Sequence, residues 1–253
     1  MKTYAFGATR LTIEASGPAQ RELERRLAGF TTEPDSAAAH VEIRPTPPEP
    51  SGDGLLLEES SFSVEYSPER ASIWYQEPTP NASETPAHVG VLHVLSLAAI
   101  DSGQLLVHAS AVREGRNAWV FVGPSGAGKS TLASWYPPSD VLNDDFVLLE
   151  PGSELSVHSQ PFFGKTMADR LGTALSARVR SVFTLHHNTL ALRVLAPQER
   201  FIALMDAVAL PKQAGTHRAR ALELAEQCIA SSWSELSFSL EPERTRAFLK
   251  TLP

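Results

Sequence analysis

Residues 123–131, Gly123-Pro124-Ser125-Gly126-Ala127-Gly128-Lys129-Ser130-Thr131, follow the order G-x-x-x-x-G-K-[ST]. That order suits a polyphosphate. Gly123, Gly126 and Gly128 leave no Cβ in the way of backbone N–H groups that turn inward on an anion. Those amides, with the start of a following helix, then face the negative charge. Lys129 has the length to reach β and γ phosphates, and the Ser130 hydroxyl suits a Mg²⁺ ion held beside them. At ordinary residue frequencies the four fixed positions coincide in roughly 1% of chains this long, and the apolar strand ahead of them makes coincidence rarer still. A second G-K-T, Gly164-Lys165-Thr166, has Ser159 where the leading glycine belongs and is not a second phosphate loop.

Shortly beyond the loop, Asn143, Asp144 and Asp145 interrupt the apolar run Val141–Glu150. An acid is expected there, because Mg²⁺ takes oxygen ligands besides phosphate. Two adjacent acids permit a division of labour. One, taken as Asp144, stands with Ser130 at the metal, and the other accepts the proton of an attacking hydroxyl. The types alone leave open which of Asp144 and Asp145 is the base, and a charged turn between strands is the alternative. Lys165, Arg178 and Arg180 are cations of the kind that steady a γ-phosphoryl group, although such residues more often sit in solvent.

The elements that must hold these groups are legible. Leu105–Val112 and Ala118–Val122 are strands joined by a connection too short for a helical crossover, which predicts an antiparallel hairpin running into the phosphate loop. Pro137 and Pro138 stop the helix after the loop near Tyr136. His88–Ile100 is apolar on all sides and predicts a buried helix. Upstream, residues 2–15, His40–Arg44, Leu55–Glu58, Phe62–Tyr66 and Ala71–Tyr75 alternate as strands, and Pro18–Phe30 reads as an amphipathic helix with Leu23, Leu27 and Phe30 on one face. Proline-rich breaks fall at 44–54 and 77–86. Downstream, Phe201–Leu252 reads as helix-rich, with helices at Arg218–Ala230 and Pro242–Leu252 and a strand at Glu235–Leu240. The division expected is a small α+β lobe over residues 1–86, a scaffold without chemistry of its own, and a nucleotide-binding domain over 87–253.

The 253 residues carry 22 Lys+Arg against 29 Asp+Glu, a formal charge of −7. That balance disfavours a nucleic-acid binder, which needs a basic surface. No stretch nears the ~18 apolar residues that span a bilayer, and the N-terminus alternates instead of presenting a signal-peptide core. A cytoplasmic protein without membrane partners is therefore expected, with homo-oligomers left open. The single cysteine, Cys228, excludes an internal disulfide and reads as a packed thiol. A GTPase is disfavoured: Asp169-Arg170-Leu171-Gly172 fits D-x-x-G, but no apolar strand leads into it and no N-K-x-D segment occurs.

Taken in order, Leu106-Val-His-Ala-Ser-Ala-Val112, Gly123–Thr131 and Asn143-Asp-Asp145 resemble the catalytic core of HPr serine kinase/phosphorylase, most of all its shorter relatives such as the kinases of lasso-peptide tails. The likeness covers residues 88–150, continues faintly through Gln160–Gly164 and Val182–Leu185, and leaves residues 1–86 uncovered. It implies an α/β (α+β) fold with a phosphoenolpyruvate-carboxykinase-like core, in which a mixed or antiparallel sheet feeds the phosphate loop. It implies ATP and Mg²⁺ as cofactors and transfer of the γ-phosphoryl group to a Ser/Thr-type hydroxyl of a protein, peptide or small metabolite. Lys129 would contact the transferred phosphate, Ser130 the metal, one acid of the pair would be the base, and His108 would lie near the phosphates. The family's Glu-containing segment is missing, and Pro161-Phe162-Phe163-Gly164-Lys165 stands in its place, which argues against phosphorylase chemistry and against HPr as the acceptor. A nucleotide hydrolase and a non-catalytic nucleotide-sensing module would use the same loop.

Overall fold

The computed structural model of the protein describes residues 1–16, 19–34, 38–44, 54–59, 62–75, 86–164, 172–187, 189–238 and 240–252. Residues 45–53 and 77–85 of the Pro-rich breaks, the second G-K-T from Lys165 onward and the D-x-x-G segment up to Leu171 lie outside the described residues. The alternation at the N-terminus produces the expected strands. β1 (Lys2–Phe6) and β2 (Thr9–Ala15) pair antiparallel and bury Tyr4, Phe6, Leu11 and Ile13. α1 (Ala19–Leu27) and the 3₁₀ turn after it bury Leu23, Leu27 and Phe30. β3 (Thr31–Thr32), β4 (Ala39–Arg44), β5 (Leu55–Glu58), β6 (Phe62–Tyr66) and β7 (Arg70–Tyr75) complete a mixed sheet in the order β3-β1-β2-β4-β7-β6-β5. β4 runs parallel to both of its neighbours, β2 and β7.

α2 (Pro86–Asp101) explains its own composition. It lies on β2, β6 and β7 along one side and on β8 (Leu105–Glu114) and the later helix α5 along the other, so that among the described residues only a narrow strip at Val89, Leu92 and His93 and the end at Asp101 reach water. Val91, Val94, Leu95, Leu97 and Ala98 are all buried there. The apolar cluster beneath the first sheet continues through α2 to Leu106 and Leu148 of the second and to Phe162 in the segment after the strand Ser156–His158.

Of the polar residues on this helix, Ser96 donates to the Ala209 carbonyl and His93 bonds the Val89 carbonyl at 2.8 Å, and His88 differs from both. It is 7% exposed, its ring lies 5.2 Å from that of Phe162, and its Nε2 has no hydrogen-bond partner among the described residues. Burial, with a smaller push from Arg26, lowers its pKa to about 4. The folded chain thus binds this proton less readily than the unfolded chain, so stability is full above about pH 6.5 and falls with pH toward 4. Urea unfolding is expected to show a His88-dependent loss of about 2 kcal/mol between pH 7 and pH 5, read as the difference between wild type and His88→Leu. Parallel curves for the two proteins would refute it.

β8 and β9 (Asn117–Val122) form the expected antiparallel hairpin, turning at Gly115 and Arg116. α3 (Lys129–Ser134) follows and stops before the prolines. Then come β10 (Val141–Asn143), β11 (Phe146–Glu150), β12 (Ser156–His158), β13 (Ser176–His187), β14 (Ala191–Val194), α4 (Pro197–Ala207), α5 (His217–Cys228), β15 (Trp233–Phe238) and α6 (Pro242–Thr251). The second sheet runs β10-β8-β11-β12-β13-β15-β14, with β9 bonded to both β8 and β13. It too is mixed: β13 is parallel to β9 and β15, and the other pairs are antiparallel. With two mixed sheets and six α-helices among the described residues, the fold is α+β. No helix among the described residues is long and apolar enough to cross a membrane.

Alternation along β9 sorts its side chains between two layers. Ala118, Val120 and Val122 join the cluster that holds Leu204 of α4 and Ala221, Leu224 and Cys228 of α5. Trp119 and Phe121 point the other way, to Leu132 of α3, Leu249 of α6 and Phe183. Cys228 is the packed thiol expected, its pKa pushed up to about 12 by burial. The helical third starts at Pro197, ahead of the Phe201 read from sequence, because proline suits the first helical turn and Glu199 accepts the Ala196 N–H at 2.8 Å.

Candidate functional site

The loop 123–128 turns between the end of β9 and the start of α3. Gly123, Gly126 and Gly128 have φ of 149°, 83° and 99°, a region that suits glycine and leaves the loop amides free to turn inward. The Lys129 side chain folds back over this loop, its Nζ donating to the carbonyls of Gly123 at 2.8 Å and Pro124 at 3.1 Å. At 6% exposure, burial lowers the pKa of this amine, and the Asp145 charge opposes that shift. Ser110, fully buried on β8, donates its hydroxyl to the Lys129 carbonyl at 3.0 Å and so ties the feeding hairpin to the first residue of α3. The Ser130 hydroxyl donates to the Asp144 carbonyl at 3.1 Å, which brings the acid-bearing connection against the loop.

That connection, between β10 and β11, is organised by Asn143. Its Oδ1 accepts the N–H groups of Asp145 (2.9 Å) and Phe146 (3.1 Å), and its Nδ2 donates to the carbonyls of Gln160 (3.1 Å) and Phe162 (3.2 Å). Gln160, also fully buried, accepts the Phe162 N–H at 2.7 Å and donates to the Phe146 carbonyl at 3.2 Å. The two amides lock segment 160–164 under the acids. Gly164 is the point of closest approach, where a Cβ would lie 3.0 Å from the Asp145 Cβ and 3.2 Å from Asp144 Oδ2.

The structure separates the two acids. Asp144 is fully buried, and its Oδ1 accepts the Gly164 N–H at 2.8 Å. Asp145 is one-third exposed and its Oδ1 lies 3.0 Å from His108 Nε2. Register explains that pair: β8 and β11 run antiparallel with His108 opposite Phe146, whose ring lies 5.2 Å from the imidazole.

Two cavities meet at this point. The smaller, of about 270 Å³, is lined by Ser125, Gly126, Gly128, Lys129, Ser130 and Thr131 together with His108 and Asp145. The larger, of about 640 Å³, opens on the other side of the loop, between Gly123–Ala127, the Thr184–His186 stretch of β13 and Ala203, Asp206 and Ala207 of α4. His108, Ser125 and Gly126 border both. The residues expected from sequence are thus brought together: the loop, His108 and Asp145 on the cavity walls, Asp144 behind them. No family model matches the chain, and no curated protein matches it.

Arg178 and Arg180 line neither cavity. Arg178 pairs with Glu154 at 2.8 Å, and Arg180 lies over the Trp119 ring and donates to the Leu252 carbonyl. Lys165 lies outside the described residues. Sequence reasoning passed over Ser110, Gln160 and Gly164 as contributors to the site, and gave Asn143 no role beyond its place in the motif. The polar Asn143 within an apolar strand was the available signal, since a buried amide there must find partners.

Proposed function

We propose that the chain is an ATP- and Mg²⁺-dependent kinase that moves the γ-phosphoryl group to a hydroxyl of a protein, peptide or small metabolite. The observation that carries this reading is the meeting of Lys129, inside a glycine-turned phosphate loop, with the His108–Asp145 pair on the wall of the same cavity. The mixed sheet, with an antiparallel hairpin running into the loop, supports a phosphoenolpyruvate-carboxykinase-like core and the resemblance to HPr-kinase-like enzymes.

The Ser130 hydroxyl and the Asp144 carboxylate are hard oxygen donors, which fits Mg²⁺. Ser130 and Asp144 would hold the ion, which supplies charge neutralisation on the phosphates. The loop amides and Lys129 orient the triphosphate and draw its charge. Asp145, the acid on the cavity wall, accepts the proton of the acceptor hydroxyl while His108 holds its carboxylate in place. The hydroxyl oxygen bonds to the γ-phosphorus as the bond from that phosphorus to the bridging oxygen breaks, and ADP leaves.

The test follows γ-labelled ATP with Mg²⁺, purified protein and desalted lysate of its host. Label on an acid-stable species is expected. In Asp145→Asn, transfer is expected to slow by about 10²–10⁴-fold while nucleotide affinity stays near wild type. Label released only as free phosphate would favour a hydrolase, and binding without any movement of label would favour a sensing module. If Asp145→Asn abolished nucleotide binding, the assignment of the base would be wrong.

A further inference from the structure

The two cavities differ in charge as well as size. Lys129 and the loop amides line the smaller one. Among the described residues that line the larger one, Asp206 is the only Asp, Glu, Lys or Arg. It is exposed and lies on α4. His186 of β13, which also lines this cavity, faces Glu235 at 3.3 Å, and Arg193 pairs with the same acid at 2.9 Å.

The loop sets which cavity takes which substrate. Lys129 Nζ sits at the Gly123 and Pro124 carbonyls, the end of the loop that borders the larger cavity, whereas Ser130 and Thr131 border only the smaller. The lysine marks the β/γ end of the polyphosphate. The nucleoside therefore extends past Thr131, and the larger cavity begins where the γ-phosphoryl group ends. His108, the partner of the base, borders both. A volume of about 640 Å³ falls in the range of small-ligand sites.

Resting on the kinase reading, we propose that the acceptor is a small amino alcohol seated in the larger cavity, its hydroxyl at the His108–Asp145 pair and its ammonium group at Asp206. An anionic acceptor would meet the γ-phosphoryl group on one side and Asp206 on the other, with no Lys or Arg among the described lining residues to offset them. An ammonium group relieves both. The hydroxyl oxygen takes the phosphoryl group, its proton passes to Asp145, and ADP and the phosphorylated amino alcohol are the products.

Matched probes test this: ethanolamine, ethylene glycol and glycolate; 2-amino-1,3-propanediol, glycerol and glycerate; glucosamine, glucose and gluconate. Each is offered with γ-labelled Mg-ATP, and binding of a fluorescent ATP analogue is measured in parallel. The amine of at least one set is expected to accept label with a KM tenfold or more below that of its neutral partner. Asp206→Asn is expected to erase the difference and Asp206→Lys to reverse it toward the acid, with affinity for the ATP analogue unchanged. Preference for a neutral or acidic member, an amine preference that survives Asp206→Asn, or label passing only to a protein would overturn the proposal and leave the kinase reading standing. Failure to bind the ATP analogue would instead bring down the kinase reading itself.

Discussion

Lys129→Ala is expected to reduce phosphoryl transfer by about 10²–10³-fold, the loss that follows removal of one preorganised charge donor from a catalytic site. The lysine is nearly buried, its ammonium group is held by two loop carbonyls, and the charge of Asp145 acts on it. No neighbouring cation on the wall of the smaller cavity replaces it among the described residues. Fold disruption is not the expected cause. The lost hydrogen bonds are offset by relief of the burial that lowers the amine's pKa, so the melting temperature should stay within a few degrees of wild type. Lys129→Arg should not restore activity, because a planar guanidinium cannot take the place of a compact ammonium between those carbonyls. Transfer within threefold of wild type in Lys129→Ala would remove the phosphate-loop assignment.

Asn143→Ala carries the largest expected structural effect. Its side chain satisfies the N–H groups of Asp145 and Phe146 and the carbonyls of Gln160 and Phe162, all around a fully buried position. Truncation leaves these groups without that partner, the Gln160 and Phe162 carbonyls in fully buried surroundings and the two N–H groups half-buried, at a cost of about 1–3 kcal/mol for each group that finds no substitute. Partial relaxation brings the expected total to about 3–4 kcal/mol, or a melting temperature lower by roughly 10 °C for a chain of this size. Because the same amide sets the backbone that carries Asp145, transfer should also fall in variants that remain folded at low temperature. Asn143→Asp should rescue neither: it keeps the acceptor oxygens, loses both donors and buries a charge. Calorimetry on the three proteins checks this, and a shift under about 2 °C for Asn143→Ala would show that the amide network carries little of the stability.

Much of the architecture was legible before the structure. Strand alternation from Lys2 to Tyr75, the β8–β9 hairpin, the short α3 cut by Pro137 and Pro138, and the buried helix near residues 88–100 all rest on near-neighbour patterns, and the chain folds as those patterns indicate. The turn of the loop was legible for the same reason: its glycines, lysine and serine are near neighbours in the chain, so their order in the chain is their order in space. The helix-start error at residue 201 has a local cause too, since Pro197 and Glu199 open α4 without an apolar repeat to announce them.

The rest depended on contacts between residues distant in the chain. Asp144 and Asp145 are equivalent by type and position. Only the pairing of β11 with β8 places Asp145 beside His108, and only the return of segment 160–164 puts a backbone N–H on Asp144. The larger cavity likewise needs β13 and α4 brought to the loop from far downstream, and the composition of α2 makes sense only with a layer on each side. The sequence by itself determined which chemical groups the loop presents and which segments become strands or helices, because those follow from spacing within a few residues. The tertiary structure decided which acid lines the loop cavity, which amide holds it there and what charge lines the cavity beyond, because burial and partnership arise only when remote segments close on one another.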